Sequence, residues 1–286
     1  MNHEIRMDES FGRVLFLSDG RTEVGAALDF CPLPAGYFAL LACVVAGYAA
    51  SVLFARQPDD CSDGLTTPEG WRIFGGHRFW SAPESDKSYY PDREPVAYTL
   101  TEAGAELRQK VDPWLREEKT IRIAFRPDGA VCVRHCLKNC ADAPVRAAAW
   151  GVSTTAGGGT VTIPFAGQEN GYNPQRTIAL WGETSLADER LHFTADALTA
   201  EHLPRDGYLK LGLYCTDARI IRHNLGQRFE ISIAPHPIER CADLGSNIEL
   251  YMDRNILEME TLGEMTELMP GDETIHEEIW RVEKSD

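Results

Sequence analysis

Apolar and polar residues along the chain fall into short runs separated by turn residues, not into long amphipathic stretches. Early runs are Val14–Ser18, Glu23–Phe30, Tyr37–Val45 and Ser51–Ala55, followed by Thr120–Phe125, Val131–Asn139, Val145–Val152 and Thr160–Pro164. Later ones are Arg190–Thr194, Leu209–Cys215, Phe229–Ala234, Asn247–Met252, Ile256–Leu262 and Thr274–Val282. Asp19-Gly20, Pro127-Asp128-Gly129, Gly157-Gly158-Gly159, Asp206-Gly207 and Pro270-Gly271-Asp272 punctuate them, and these dipeptides favour turns. Many short strands at this spacing predict antiparallel sheets in a sandwich or barrel. Thr101–Glu118 is rich in helix formers, but Pro113 interrupts it and strand-like runs flank it, so strand is expected there too. The fold class is mainly β, with residues 1–10 as an N-terminal tail and 11–286 as a single domain.

The chain has 286 residues, of which 43% are hydrophobic and 25% charged. That is ordinary globular composition, long enough to bury a core. Asp and Glu outnumber Lys and Arg by 44 to 28, a formal charge of −16. Such a charge repels phosphate backbones and anionic lipid, which argues against nucleic acid as a partner. The eight cysteines are dilute and contain no CxxC pair. Glu4, Asp8 and Glu9 near the start do not fit a secretory signal. Free thiols in a reducing cytoplasm are therefore expected.

Phe30–Ala55 contains no charged residue and is long enough to be a membrane candidate. Pro32, Pro34, Gly36 and Gly47, together with weakly apolar Ala, Ser and Tyr, argue instead for two buried strands.

The densest group of functional side chains is Gly75-Gly76-His77-Arg78-Phe79-Trp80-Ser81-Ala82-Pro83-Glu84. An imidazole, a guanidinium, an indole and a carboxylate together suit a polyol, with Trp80 facing its C–H surface and His77, Arg78 and Glu84 its hydroxyls. A glycine turn leading into a buried aromatic strand fits the same residues. In Ile256–Leu262, period-two alternation puts Glu258 and Glu260 on one face. They suit either an acid–base pair with one raised pKa or a solvated outer face. Asn247 and Glu249 share a face in the same way.

Asn173-Pro174-Gln175-Arg176, Trp181 and Asp188-Glu189-Arg190 lie in loop-like surroundings, where binding groups concentrate, although an Asp-x-Arg pair also serves structure. Trp150 closes an alanine run as core or as a stacking platform. Cys132, Cys136 and Cys140 with His135 fail as a metal site, because four-residue steps on a strand separate the sulfurs by about 13 Å. HExxH, GxSxG, GxxxxGK[ST] and GxGxxG are all absent. No metal and no cofactor is expected.

Taken in order, these blocks resemble the galactose mutarotase-like superfamily, and most nearly an uncharacterised bacterial branch of aldose 1-epimerase-like proteins. The likeness rests on the Gly75–Glu84 block, Asn139, Pro144-Val145, Trp150, Ile163-Pro164, Glu258-Met-Glu260-Thr-Leu-Gly, Leu268-Met-Pro-Gly271 and Trp280, across roughly residues 11–283. It implies a β-supersandwich whose concave face holds a small carbohydrate. By position, Glu260 resembles the late-strand base that takes the anomeric proton; His77 and Arg78 would line the pocket, and Lys210 would reach it. Mutarotases carry a His-x-Tyr acid where this chain has Trp150-Gly151-Val152. Either His77 or Lys210 replaces that acid, giving an aldose 1-epimerase-like isomerase, or the protein binds or senses a sugar without catalysis. Oligomeric state is not legible in the chain.

Overall fold

The computed structural model describes residues 1–8, 11–29, 39–45 (backbone only), 54, 70, 71, 73, 75–91, 94–165, 172 and 176–285. The strands are β1 (Asn2–Asp8), β2 (Gly12–Ser18), β3 (Thr22–Ala27), β4 (Ala39–Val45), β5 (Gly76–Ala82), β6 (Ala97–Leu100) and β7 (Gly104–Arg108). They continue as β8 (Glu117–Phe125), β9 (Val131–Asn139), β10 (Val145–Ala156), β11 (Thr160–Pro164), β12 (Ile178–Leu180), β13 (Leu191–Phe193) and β14 (Ala197–Glu201). The last are β15 (Leu209–Leu213), β16 (Arg219–Asn224), β17 (Gln227–Ile233), β18 (Ile248–Met252), β19 (Ile256–Leu262), β20 (Thr266–Leu268) and β21 (Glu273–Lys284).

Among the described residues they form two antiparallel sheets. One runs β1-β2-β3-β4-β5-β10-β19-β18-β15-β12, with β20 added at β10; the other runs β13-β14-β11-β16-β17-β21-β9-β8-β7-β6. The mainly β reading therefore holds, including Thr101–Glu118. There Gly104–Arg108 pairs with β8 and the segment around Pro113 turns between them. Pairing on both sides outweighs the helix propensity of the isolated segment. Asn2–Asp8, read from the sequence as tail, runs as an exposed edge strand on β2.

The sheets stack around an apolar core that includes Leu15, Leu107, Val133, Leu211, Phe229, Met259 and Trp280. Every second residue of a strand points into this layer. On β15 these are Leu209, Leu211 and Leu213, and on β18 Ile248, Leu250 and Met252. The residues between them face the other side of the first sheet, where the candidate site lies.

Much of Phe30–Ala55 lies outside the described residues. Within it, Ala39–Val45 pairs with β3 and β5, and Phe54 bridges to Thr155. Among the described residues no helix is long and apolar enough to cross a membrane.

Candidate functional site

Five neighbouring strands, in the order β5-β10-β19-β18-β15, build the floor of a cavity of about 260 Å³. Strand register brings the alternate residues together. Glu260 sits opposite both Val152 and Glu249, Glu258 opposite Thr154 and Tyr251, and Lys210 opposite Tyr251. On the other side Trp150 sits opposite Trp80, and Val152 opposite Arg78. Trp71, Ile73, Tyr89, Trp181 and Tyr208 complete the walls. Gly212 makes room for them, since a Cβ there would lie 2.1 Å from Ser246 Oγ and 3.4 Å from the Trp181 ring. Gly75 and Gly76, at the entry to β5, both have positive φ, which glycine adopts without strain.

The charged groups form two sets. Arg78 Nη1 donates to Glu258 Oε1 at 2.7 Å and to Thr154 Oγ1 at 2.9 Å. The Thr154 hydroxyl donates to the same Glu258 oxygen at 2.6 Å. Burial alone would raise the Glu258 carboxyl, but the Arg78 guanidinium and the Thr154 hydroxyl hold it below the usual range. Glu258 is thus a fixed anion.

The second set is Lys210 with Glu249 and Glu260. Its ammonium lies 3.2 Å from Glu249 Oε2 and 3.5 Å from Glu260 Oε2. It also stands over the rings of Trp150 and Trp181, at 4.8 and 4.9 Å. Burial disfavours that charge, yet Glu260 and Glu249 outweigh it and hold Lys210 above the usual lysine value. Burial pushes Glu260 up to about 7 against the pull of Lys210, with Glu258 adding repulsion. Glu249 is raised well above its ordinary value by burial, again against Lys210.

Among the described residues neither oxygen of Glu260 has a hydrogen-bond partner, nor does Trp150 Nε1, while Glu249 is met by the Lys210 ammonium. Buried polar groups are nearly always hydrogen-bonded, so these unpartnered atoms on one face set the cavity floor apart from the rest of the sheet. Glu84 lies at the rim and accepts a hydrogen bond from the Tyr89 hydroxyl.

Of the residues singled out from the sequence, Arg78, Trp80, Glu84, Trp150, Trp181, Lys210, Glu258 and Glu260 line this cavity, and Glu249 lies against Lys210 beside it. His77 does not. It is next to Arg78 on a strand, so it points to the opposite face. There it is fully buried between the sheets, with Nδ1 2.8 Å from Ser153 Oγ and Nε2 2.7 Å from His135 Nε2.

Asn247 clamps backbone: Nδ2 donates to Cys215 O and Oδ1 accepts from Cys215 N, each at 2.9 Å. Its neighbour Ile248, not Asn247, starts the strand. Asp188 and Arg190 pair with each other at 2.9 Å away from the cavity, and the Arg176 guanidinium stands 4.5 Å over Phe165. Asn173, Pro174 and Gln175 lie outside the described residues. Trp71, Ile73, Tyr89, Tyr208 and Tyr251 were not singled out. Tyr251 was accessible to the alternation rule, two residues from Glu249 on the same face; the others depend on how loops fold over the sheet.

No family profile and no curated protein matches the chain. Solved structures do resemble it. A galactose mutarotase-like protein from Lactobacillus casei matches with a TM-score of 0.60 at 9% identity, covering 94% of this chain and 100% of that one. A galactose mutarotase related enzyme from Lactobacillus acidophilus matches at 0.53 and 9% identity, over 96% and 98% of the two chains. A TPR-domain containing protein from Parabacteroides distasonis matches at 0.60 and 14% identity, over 94% of this chain and 47% of that one. This chain thus spans about half the length of that last protein. At such identities the likeness is one of fold: a galactose mutarotase-like sandwich of antiparallel sheets.

Proposed function

We propose that the protein binds a monosaccharide in this cavity and exchanges its anomers as an aldose 1-epimerase-like isomerase, with Glu260 as the base. The reading rests on one observation: Glu260 is buried in an aromatic cavity with no hydrogen-bond partner among the described residues, where burial pushes its carboxyl up to about 7. A base poised near the working pH is what proton abstraction requires. A cavity of about 260 Å³ lies just below the range of about 300–1,000 Å³ typical for drug-sized ligands, which suits one sugar ring. The half-buried rings of Trp181 and Tyr208 in the lining are placed for its C–H surface.

In the forward step Glu260 takes the anomeric hydroxyl proton. The carbonyl forms as the bond from C1 to the ring oxygen breaks, and that oxygen takes a proton from the Lys210 ammonium. Lys210 is the cation placed to meet the charge growing there. Closure on either face of the carbonyl reverses these transfers and returns both protons. A neutral ligand fits best, because Arg78 and Lys210 are already engaged by carboxylates. The proposed setting is cytoplasmic, consistent with the free thiols of Cys132, Cys136, Cys140, Cys215 and Cys241, and nucleic acid is not proposed as a partner.

A second reading, sugar binding without catalysis, is favoured by the placement of His77 outside the cavity and by the raised pKa of Lys210, which makes it a reluctant acid. Polarimetry of freshly dissolved α-hexoses, run beside a thermal-shift screen, separates the two. Isomerisation predicts relaxation faster than buffer, reduced by about 10²-fold or more in Glu260→Gln with binding kept. Binding with no acceleration establishes the second reading, and no binding to any aldose removes both.

A further inference from the structure

Behind the cavity floor, between the two sheets, lies a separate cluster of titratable groups that the proposed chemistry does not use. His77 comes from β5 in one sheet; His135 from β9 and Glu278 from β21 come from the other. All three are buried completely. One nitrogen of each imidazole and one oxygen of the carboxylate lie within 4.8 Å of one another. His77 Nε2 is 2.7 Å from His135 Nε2 and 3.9 Å from Glu278 Oε2.

The surroundings orient these three groups. His135 Nδ1 faces the His276 carbonyl at 3.3 Å, which places its proton there and turns the Nε2 lone pair inward. His77 Nδ1 faces the Ser153 hydroxyl at 2.8 Å. Glu278 accepts from the Thr261 hydroxyl at Oε1 (2.5 Å) and from Trp280 Nε1 at Oε2 (2.6 Å). Imidazoles whose outer nitrogen meets a hydroxyl or a carbonyl, and a carboxylate held by donors, form the usual outer shell of a metal site. Gly151 leaves the space: a Cβ there would lie 2.3 Å from Glu278 Oε1 and 3.2 Å from the His77 ring.

A buried carboxylate normally has a cationic partner or a metal. Among the described residues Glu278 has neither a lysine nor an arginine in contact, and burial keeps both imidazoles neutral. Neutral imidazole and carboxylate are the forms that bind metal.

We propose that His77, His135 and Glu278 bind a divalent transition metal of the zinc class, which ties the two sheets together directly beneath the cavity floor. Two imidazoles and a carboxylate are an established zinc donor set. Bonds of about 2.0–2.1 Å put tetrahedral ligand atoms about 3.3 Å apart. The two nitrogens must therefore part by about half an ångström, and Glu278, in a group whose ligand atoms now spread over as much as 4.8 Å, must close in by up to about 1.5 Å. Strand β5 carries His77 on one face and Arg78 and Trp80 on the other, so the metal would steady the cavity wall. This inference does not depend on the sugar reading.

The test is metal content and cobalt spectroscopy on the full chain. Protein refolded with Zn²⁺ and desalted is expected to hold about one zinc per chain, and Co²⁺ to give visible bands of a four- or five-coordinate site. Both are expected to be lost in His135→Gln and Glu278→Gln, with far-UV circular dichroism confirming the fold, and kept in His192→Gln, an exposed control. Zinc far below one per chain in the wild type, or content unchanged in both folded variants, overturns the proposal. If neither variant folds, the wild-type stoichiometry and the cobalt spectrum decide alone.

Discussion

Glu249 and Glu260 face each other across the β18–β19 ladder with a single ammonium, that of Lys210, serving both. Two buried carboxylates cannot both stay ionised on one cation at no cost, and both are raised by burial. This relationship keeps a proton-accepting group available near neutral pH beside the Arg78–Glu258 pair in the same wall.

Removing that cation should be costly. Lys210→Met leaves two buried carboxylates without a counter-charge, which typically costs about 3–5 kcal/mol. The loss should be larger at pH 8 than at pH 5, where both carboxyls can take up protons instead. Urea unfolding at the two pH values measures it; an equal loss at both would show that Lys210 contributes packing rather than charge.

For the isomerase reading, the rate is expected to follow the ionised fraction of Glu260. With its pKa raised to about 7, kcat/KM should climb as pH rises through that value and level off above it. A profile flat from pH 5 to 9 would assign the acceleration to some other group.

Trp181→Ala tests the stacking wall. Trp181 is only partly buried, so the fold should tolerate the change, while affinity for a pyranose should fall by roughly tenfold or more, in line with an anchoring aromatic. Isothermal titration or thermal-shift titration reads this out. Trp114, which packs on Tyr90 outside the cavity, is the control, and Trp114→Ala should leave affinity unchanged.

Glu278 supplies a pH signature of its own. Burial raises its carboxyl to about 7 from an ordinary 4.5, so its ionisation opposes the fold. Its contribution is intact at low pH and is lost as pH rises through about 7. In metal-free protein, Glu278→Gln should therefore gain on the wild type between pH 5 and 8, by on the order of 3 kcal/mol. Denaturant melts in the presence of a chelator check the direction; a constant difference across that range would show that Glu278 is not the titrating group.

Gly151→Ala should destabilise by about 1–3 kcal/mol, because its Cβ would press on Glu278 Oε1. A thermal melt of this variant near the wild-type value would mean that the Glu278 side chain sits elsewhere.

Local pattern determined a good deal. Alternation in Ile256–Leu262 is enough to put Glu258 and Glu260 on one face, and the turn residues are enough to set out antiparallel strands. The same rule separates His77 from Arg78, since adjacent strand residues point to opposite sides; placing both in one pocket, as the resemblance suggests, conflicts with strand geometry. Tertiary structure decided the rest. Nothing local distinguishes a face of Glu258 and Glu260 turned to solvent from one turned into a closed cavity. That depends on β5, β10 and β15 lying beside β19 and β18, and on Trp71, Tyr89 and Trp181 folding over them. The meeting of His77, His135 and Glu278 likewise joins strands from two sheets, far apart in the chain. Period and turn chemistry act over a few residues and so are written locally, whereas burial, pKa and ligand geometry arise only when distant strands pack, and no short stretch of sequence contains them.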